Sequence, residues 1–253
     1  QRFKLGDAVA VPHEALALEV DGRLQLVQRD VLCEVEGHVE DEERPLLQEH
    51  AVVEHGLEGL PALGGDGIDG ALGPVAVAVT AHLVDEARPL EARGFQYSYD
   101  MLGEAATTMA DADRYYRDYE NAVNAIGAAS AGRGVVGGPG ISIKLSALHP
   151  RYARAQAGRV MAELLPRVKA LAVLAKSYNI GFNIDAEEAD RLELSLDLLE
   201  SLALDPDLAG WDGLGFVVQA YGKRCPFVID WIIDLAQRAG RRIMVRLVKG
   251  AYW

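Results

Sequence analysis

Ile243-Met244-Val245-Arg246-Leu247-Val248-Lys249-Gly250-Ala251-Tyr252-Trp253 closes the chain and decides how the rest of it reads. Ile243 to Val248 is a β-rich apolar run carrying one charge, Arg246, near its end. A cation, a glycine and two aromatics follow at once. In a parallel α/β protein the carboxyl ends of the strands are where ligands bind. The run therefore reads as a buried strand with a binding site at its end. A last strand without a return helix also leads us to expect that the domain continues past Trp253.

Working back from that strand, the same cycle recurs. Tyr97 to Leu102 reads as a short strand, and a helix over roughly 109–129 places Tyr115, Tyr119, Val123 and Ile126 on one face. Glycine-rich stretches at 131–134 and 137–140 make a loop. Ile141 to Leu148 alternates as a strand. A helix through Val160, Leu164, Val168, Leu171 and Leu174 follows, with a kink expected at Pro166. Ile180 to Asp185 is a strand, and Leu192, Leu196, Leu199 and Ala203 stripe the next helix. After a turn-rich link over 208–213, Leu214 to Gln219 is a strand. A helix then opens at Cys225-Pro226, with Phe227, Trp231 and Leu235 as its stripe. Arg242 to Val248 is the fifth strand. Strands alternating with helices in this way define a parallel α/β fold.

Each strand carries a polar residue near its carboxyl end: Asp100, Lys144, Asp185, Gln219 and Arg246. In a doubly wound sheet such residues spread along an edge, whereas in a (β/α)₈ barrel they converge on one mouth. Five in register favour the barrel. The fold class is therefore α/β, a partial (β/α)₈ TIM-type barrel with about five of eight strands, preceded by an irregular N-terminal segment.

Composition narrows the function. The 253 residues are half hydrophobic and a quarter charged, enough for one large or two small domains. A net charge of −13 argues against nucleic-acid binding through this segment. Two cysteines, Cys33 and Cys225, give no disulfide framework, so a reducing, cytoplasmic location is expected. No apolar run has the length of a membrane span. The glycine clusters do not follow a strand and open a helix, so no phosphate fingerprint is present. No Gly-x-Ser-x-Gly elbow occurs, and His149 is the sole histidine after residue 82, which leaves a serine or cysteine triad poorly supported. Cys225, at a helix start, reads as a small capping residue ahead of an activated thiol.

These stretches resemble a known family. Residues 94–104, with Tyr97, Asp100 and Glu104, look like the first barrel strand of proline dehydrogenase, and most closely of that domain in the bifunctional bacterial proline utilization A flavoenzymes. Residues 140–152, 183–190, 215–221 and 245–253 resemble the second to fifth strands, so the similarity spans roughly 93–253. It implies an FAD-dependent oxidation of L-proline to 1-pyrroline-5-carboxylate, with a hydride passing from the ring carbon beside nitrogen to flavin N5. By that resemblance Lys144, Arg246 and Asp185 form the catalytic group. Gln219 and Arg246 face the isoalloxazine edge, with Asp185 bracing the site. Val248, Lys249 and Gly250 line the ribityl and phosphate path, and Trp253 lies along the cofactor. On the substrate side Lys144 faces the carboxylate, Tyr252 packs on the ring, Ala251 keeps the pocket small, and Asp100 and Glu104 orient cationic groups. No metal is implied. The parent enzyme would pass electrons to a quinone or another acceptor; homo-oligomerisation and peripheral association with the inner membrane stay open.

Two departures set further expectations. Residues 1–90 do not resemble the helical arm the family places before its barrel; they show no sustained period and hold five of the six histidines. Cys33, His38, His50 and His55 are only loosely zinc-like in spacing, and a segment without a selected core, disordered or mistranslated, is the preferred reading. The barrel part, 91–253, holds five strands, so its first and fifth should present unpaired edges. The chain is accordingly expected to be a fragment, inactive alone. The competing reading is a non-catalytic barrel fragment or binding protein.

Overall fold

The computed structural model describes residues 15–20, 23–30, 50–51, 87–89, 91–92, 95–100 and 105–250. Five parallel strands form a curled half-barrel: β4 (Gln96–Asp100), β5 (Gly140–Ile143), β6 (Gly181–Ile184), β7 (Leu214–Gln219) and β8 (Met244–Val248), paired in that order. Four long helices return the chain between them: α1 (Met109–Ser130), α2 (Ala157–Tyr178), α3 (Leu192–Ala203) and α4 (Cys225–Ala239).

The expected bare edges are not seen. Three strands precede the half-barrel: β1 (Ala15–Val20), β2 (Arg23–Asp30) and β3 (His50–Ala51). β2 pairs parallel with β8, Val27 opposite Val245, and antiparallel with β1 on its other side; β3 pairs parallel with β4, His50 opposite Gln96. Pairing satisfies backbone groups that a solitary edge leaves to solvent. The Cys33, His38 and His55 of the loose metal motif lie outside the described residues.

Side-chain alternation explains why the sheet curls with two different faces. Tyr97, Tyr99, Ile141, Ile143, Phe182, Ile184, Phe216 and Val218 share one cluster with the helix residues Tyr119, Ile126, Leu164, Leu171, Leu198 and Ile232, all buried. Full burial of each large aliphatic side chain contributes about 1.5–3 kcal/mol. The other face carries Ser98, Asp100, Ser142, Lys144, Asn183, Asp185, Gly215 and Arg246, a run of small and polar groups lining the inside. Glycines make that face fit. A Cβ on Gly215 would fall 1.8 Å from Asn183 Oδ1, and one on Gly181 would fall 2.9 Å from Met244 Cε. Large and small residues thus alternate between neighbouring strands.

Local chemistry ends each element close to where the sequence places it. Thr108 caps α1 in a capping box with Asp111, whose carboxyl is held well below the usual range by the Thr107 and Thr108 hydrogen bonds. Helix α2 runs as one helix across Pro166. Two expectations need correction. The strand expected over 141–148 stops at Ile143; Leu145–Leu148 is a helical turn whose four residues are all buried, so the alternation beyond Lys144 was a coincidence of composition. On α4 the core stripe is Val228, Ile232 and Leu235, while Phe227 is 72% exposed. Cys225 is buried at the start of α4 and points that stripe inward. Burial pushes its thiol pKa up, as a packing residue's would be, so the activated-thiol alternative gains nothing.

Candidate active site

The carboxyl ends of β4, β5, β6 and β8 bring four charges together. Lys144, the first residue past β5, places Nζ 2.6 Å from Asp100 Oδ2 and 3.1 Å from Asp185 Oδ2. Asp185 turns its other oxygen to Arg246 Nη2 at 2.5 Å, and the same nitrogen donates to Ser142 Oγ at 2.7 Å. Ser142 lies 3.4 Å from Ser98, hydroxyl to hydroxyl. Two cations and two carboxylates, each side chain no more than 19% exposed, make a neutral cluster on the inner face. Neutrality is what makes the burial tolerable, since each charge leaves water only by gaining a partner.

The electrostatics of the cluster are uneven. Burial alone pulls the Lys144 ammonium pKa down, but Asp185 and Asp100 outweigh it and the net shift is upward. Lys144 is therefore a cation throughout the neutral range. Asp100 moves up as well, through burial and then the nearby Asp185 charge, against the pull of Lys144. A buried cation held between two carboxylates has the chemistry to share its charge with a further anionic group.

Gln219, expected in the same group, is placed one layer beyond it. Its Nε2 donates to the Glu187 carbonyl at 2.9 Å. Glu187 in turn ties three loop ends together: Oε1 accepts from the Ser146 N–H at 3.1 Å, and Oε2 accepts from Arg191 at 2.9 Å. Burial pushes the Glu187 carboxyl up. Beside this junction a cavity of about 340 Å³ opens between the β6 and β7 loops, lined by Tyr152, Phe216, Gln219, Tyr221 and Cys225 among others. It includes neither Lys144 nor Arg246, so it is distinct from the charge cluster. Beyond β8, Lys249 and Gly250 sit against the β7 loop, where Tyr221 N–H donates to the Lys249 carbonyl at 3.0 Å. Gly250 has φ +115°, open to glycine and strained for other residues. Of the expected residues, Glu104, Ala251, Tyr252 and Trp253 lie outside the described ones.

Ser142, Glu187 and Tyr119 join these residues without a motif in the sequence that marks them. Ser142 was legible as inward-facing, two residues before Lys144 on one face of a strand. The tyrosine, whose phenol oxygen accepts from the Lys144 N–H at 3.0 Å, was not. Its spacing is that of one more apolar position on α1.

A parallel half-barrel with convergent ionisable groups at its strand ends defines a (β/α)-barrel enzyme domain. The chain belongs to the proline dehydrogenase family, whose model matches residues 83–253. It is 72% identical over 174 residues to the bifunctional protein PutA of Rhizobium meliloti, covering 69% of this chain and 14% of that protein. It is 68% identical over 173 residues to the bifunctional protein PutA of Klebsiella aerogenes, covering 68% of this chain and 13% of that protein. The chain thus spans about one seventh of the length of these relatives. Among solved structures, a variant of Bradyrhizobium japonicum proline utilization A matches with a TM-score of 0.61 and 54% identity, over 62% of this chain and 16% of that one. The Bdellovibrio bacteriovorus protein, inactivated by N-propargylglycine, matches with a TM-score of 0.60 and 25% identity, over 70% of this chain and 20% of that one. Among the described residues no helix is long and apolar enough to cross a membrane.

Proposed function

We propose that this chain contributes one side of the active site of an FAD-dependent proline dehydrogenase that converts L-proline to 1-pyrroline-5-carboxylate. The observation that carries the reading is the Lys144 ammonium held between Asp100 and Asp185 at the mouth of the half-barrel. Proline is a small zwitterion, and this site offers a buried cation for its carboxylate and carboxylates for its ring ammonium. Lys144 stays charged at neutral pH, so it binds the carboxylate without a proton change. Ala251 and Tyr252 would bound the ring, with Glu104 beside Asp100 at the mouth.

The flavin side has a matching donor set. Arg246 and Gln219 lie on neighbouring strands, with Val217 opposite Arg246 and Gln219 opposite Val248, so a guanidinium and an amide meet one edge of a planar heterocycle. Val248, Lys249, Gly250 and Trp253 would hold the remainder. When bound, FAD supplies the hydride acceptor at N5. Arg246 presents a fixed positive charge where electron density arrives, and Asp185 and Ser142 hold that guanidinium in place. The imine product would form as the ring methylene beside nitrogen gives up a hydride and the ring ammonium releases its two protons to solvent. Electrons would leave toward a quinone or another acceptor.

The test uses the full-length protein that carries this chain. Flavin absorbance and dye-linked oxidation of L-proline are expected, with Lys144→Ala raising KM for proline at least about 10-fold, the value of one charge-assisted pair. Activity toward proline unchanged in Lys144→Ala refutes the assignment. The isolated 253-residue chain is expected to hold no flavin and oxidise no proline, because five strands enclose one side of a mouth that a closed barrel builds from eight.

A further inference from the structure

We propose that Tyr119 is a positioning residue for Lys144: from helix α1 its phenol oxygen fixes the height at which β5 ends, and so where the Lys144 ammonium stands. The inference rests on reading Lys144 as the group that faces the substrate carboxylate.

The backbone at Lys144 is at a switch. It is still extended, with φ −103° and ψ 124°, but a helical turn begins at the next residue. On one side the ladder to β6 reaches this level, since Asp185 N–H donates to the Ile143 carbonyl at 2.9 Å. On the other side the described pairing with β4 places Asp100 opposite Ser142. The Lys144 N–H is bonded by a side chain. Tyr119 supplies its acceptor at 3.0 Å, from 25 residues earlier in the chain. The tyrosine is 1% exposed, so no solvent molecule stands ready to replace its oxygen.

A single residue thus joins the helix layer to the charge cluster. The main chain of Lys144 is held by Tyr119, and its side chain is held by Asp100 and Asp185 at 2.6 and 3.1 Å. Contacts at those distances tolerate little movement of the Cα that carries them. A tyrosine serving only as core filler would need no hydroxyl, because phenylalanine fills the same space in the cluster of Val123, Ile126 and Leu164. Y119F removes the oxygen and keeps the ring.

The experiment measures competitive inhibition of the full-length protein by cyclopentanecarboxylate and by its neutral carboxamide, in the unsubstituted protein, Y119F, K144A and the double variant. The carboxylate is expected to weaken about 2- to 10-fold in Y119F, the value of one neutral hydrogen bond, with the carboxamide unmoved. In the K144A background Y119F should cost the carboxylate nothing further. A structural role alone would shift both inhibitors equally, or neither, and that result overturns the proposal. If K144A weakens the carboxylate and Y119F does not, the proposal fails and the reading of Lys144 stands. If K144A leaves the carboxylate unaffected, both fall. Should Y119F yield no folded protein, amide exchange at Lys144 in the unsubstituted protein decides. Protection matching Ile143 supports the hydrogen bond, and fast exchange overturns it.

Discussion

Asp185 and Arg246 meet at 2.5 Å across a strand that belongs to neither of them: Asp185 follows β6, Arg246 lies on β8, and β7 runs between. Backbone pairing cannot make that connection, so the ion pair is a direct tie between non-adjacent strands. It also holds Lys144 through the second carboxylate oxygen. Removing the carboxylate leaves two buried cations short of a partner. Asp185→Ala should therefore cost about 3–5 kcal/mol of folding stability, the range for breaking a buried pair from one side. Asp185→Asn should cost less, because an amide oxygen still accepts one bond. Urea unfolding of the full-length protein, followed on the barrel domain, checks the order. Equal effects from the two variants would contradict it.

Asp100 gives the cluster a pH dependence of defined sign. Its carboxyl is raised in the fold by burial and by Asp185, more than Lys144 lowers it. The folded pKa therefore lies above the unfolded value of about 3.9. Its contribution to stability is complete below that unfolded value and is lost as pH rises through the folded pKa. Asp100→Asn has no such loss. The variant's stability relative to the unsubstituted protein should climb as pH rises from about 4 toward neutrality. Denaturation at several pH values tests this, and a flat or falling difference would sink it.

Alternation and spacing made the barrel legible because each strand puts a polar group at its end, and four of the five, Asp100, Lys144, Asp185 and Arg246, do meet. The fifth, Gln219, lies one residue pair further along its strand and is taken up by the Glu187 carbonyl. Periodicity finds which face a residue is on but not how high the loop after it climbs. The same limit hid the end of β5. Leu145, Ser146 and Ala147 continue the apolar–polar alternation of Ile141 to Lys144, yet the chain turns helical at Leu145, and Ser146 N–H and Oγ serve the neighbouring loops. Tyr119 was hidden for another reason. A buried tyrosine and a buried leucine leave the same helical stripe, and only the fold shows what the hydroxyl touches.

Gly215 tests the inner packing without touching a charge. Replacing a strand glycine by alanine ordinarily stabilises a strand. Here the added methyl would fall 1.8 Å from Asn183 Oδ1 and 3.2 Å from Met244 Cβ. Gly215→Ala should therefore destabilise the domain by about 1–3 kcal/mol, the usual range for overpacking. Asn183→Ala in the same chain should recover most of that loss. The two variants and their combination, compared by thermal unfolding, form a double-mutant cycle. Additive effects would show that the clash is relieved elsewhere.

Gly250 separates crowding from backbone strain at the proposed flavin loop. An alanine there meets the Tyr221 ring at 1.8 Å, and it must also adopt φ +115°. Removing the ring by Tyr221→Ala relieves only the first problem. The strain of a side chain at that φ, about 1–3 kcal/mol, remains in the double variant. Gly250→Ala should therefore lower flavin occupancy of the full-length protein, read as the ratio of flavin to protein absorbance, and Gly250→Ala with Tyr221→Ala should restore it only in part. Full restoration would mean that the ring alone dictates glycine at this position. No change in either variant would mean that the loop after β8 does not hold the cofactor.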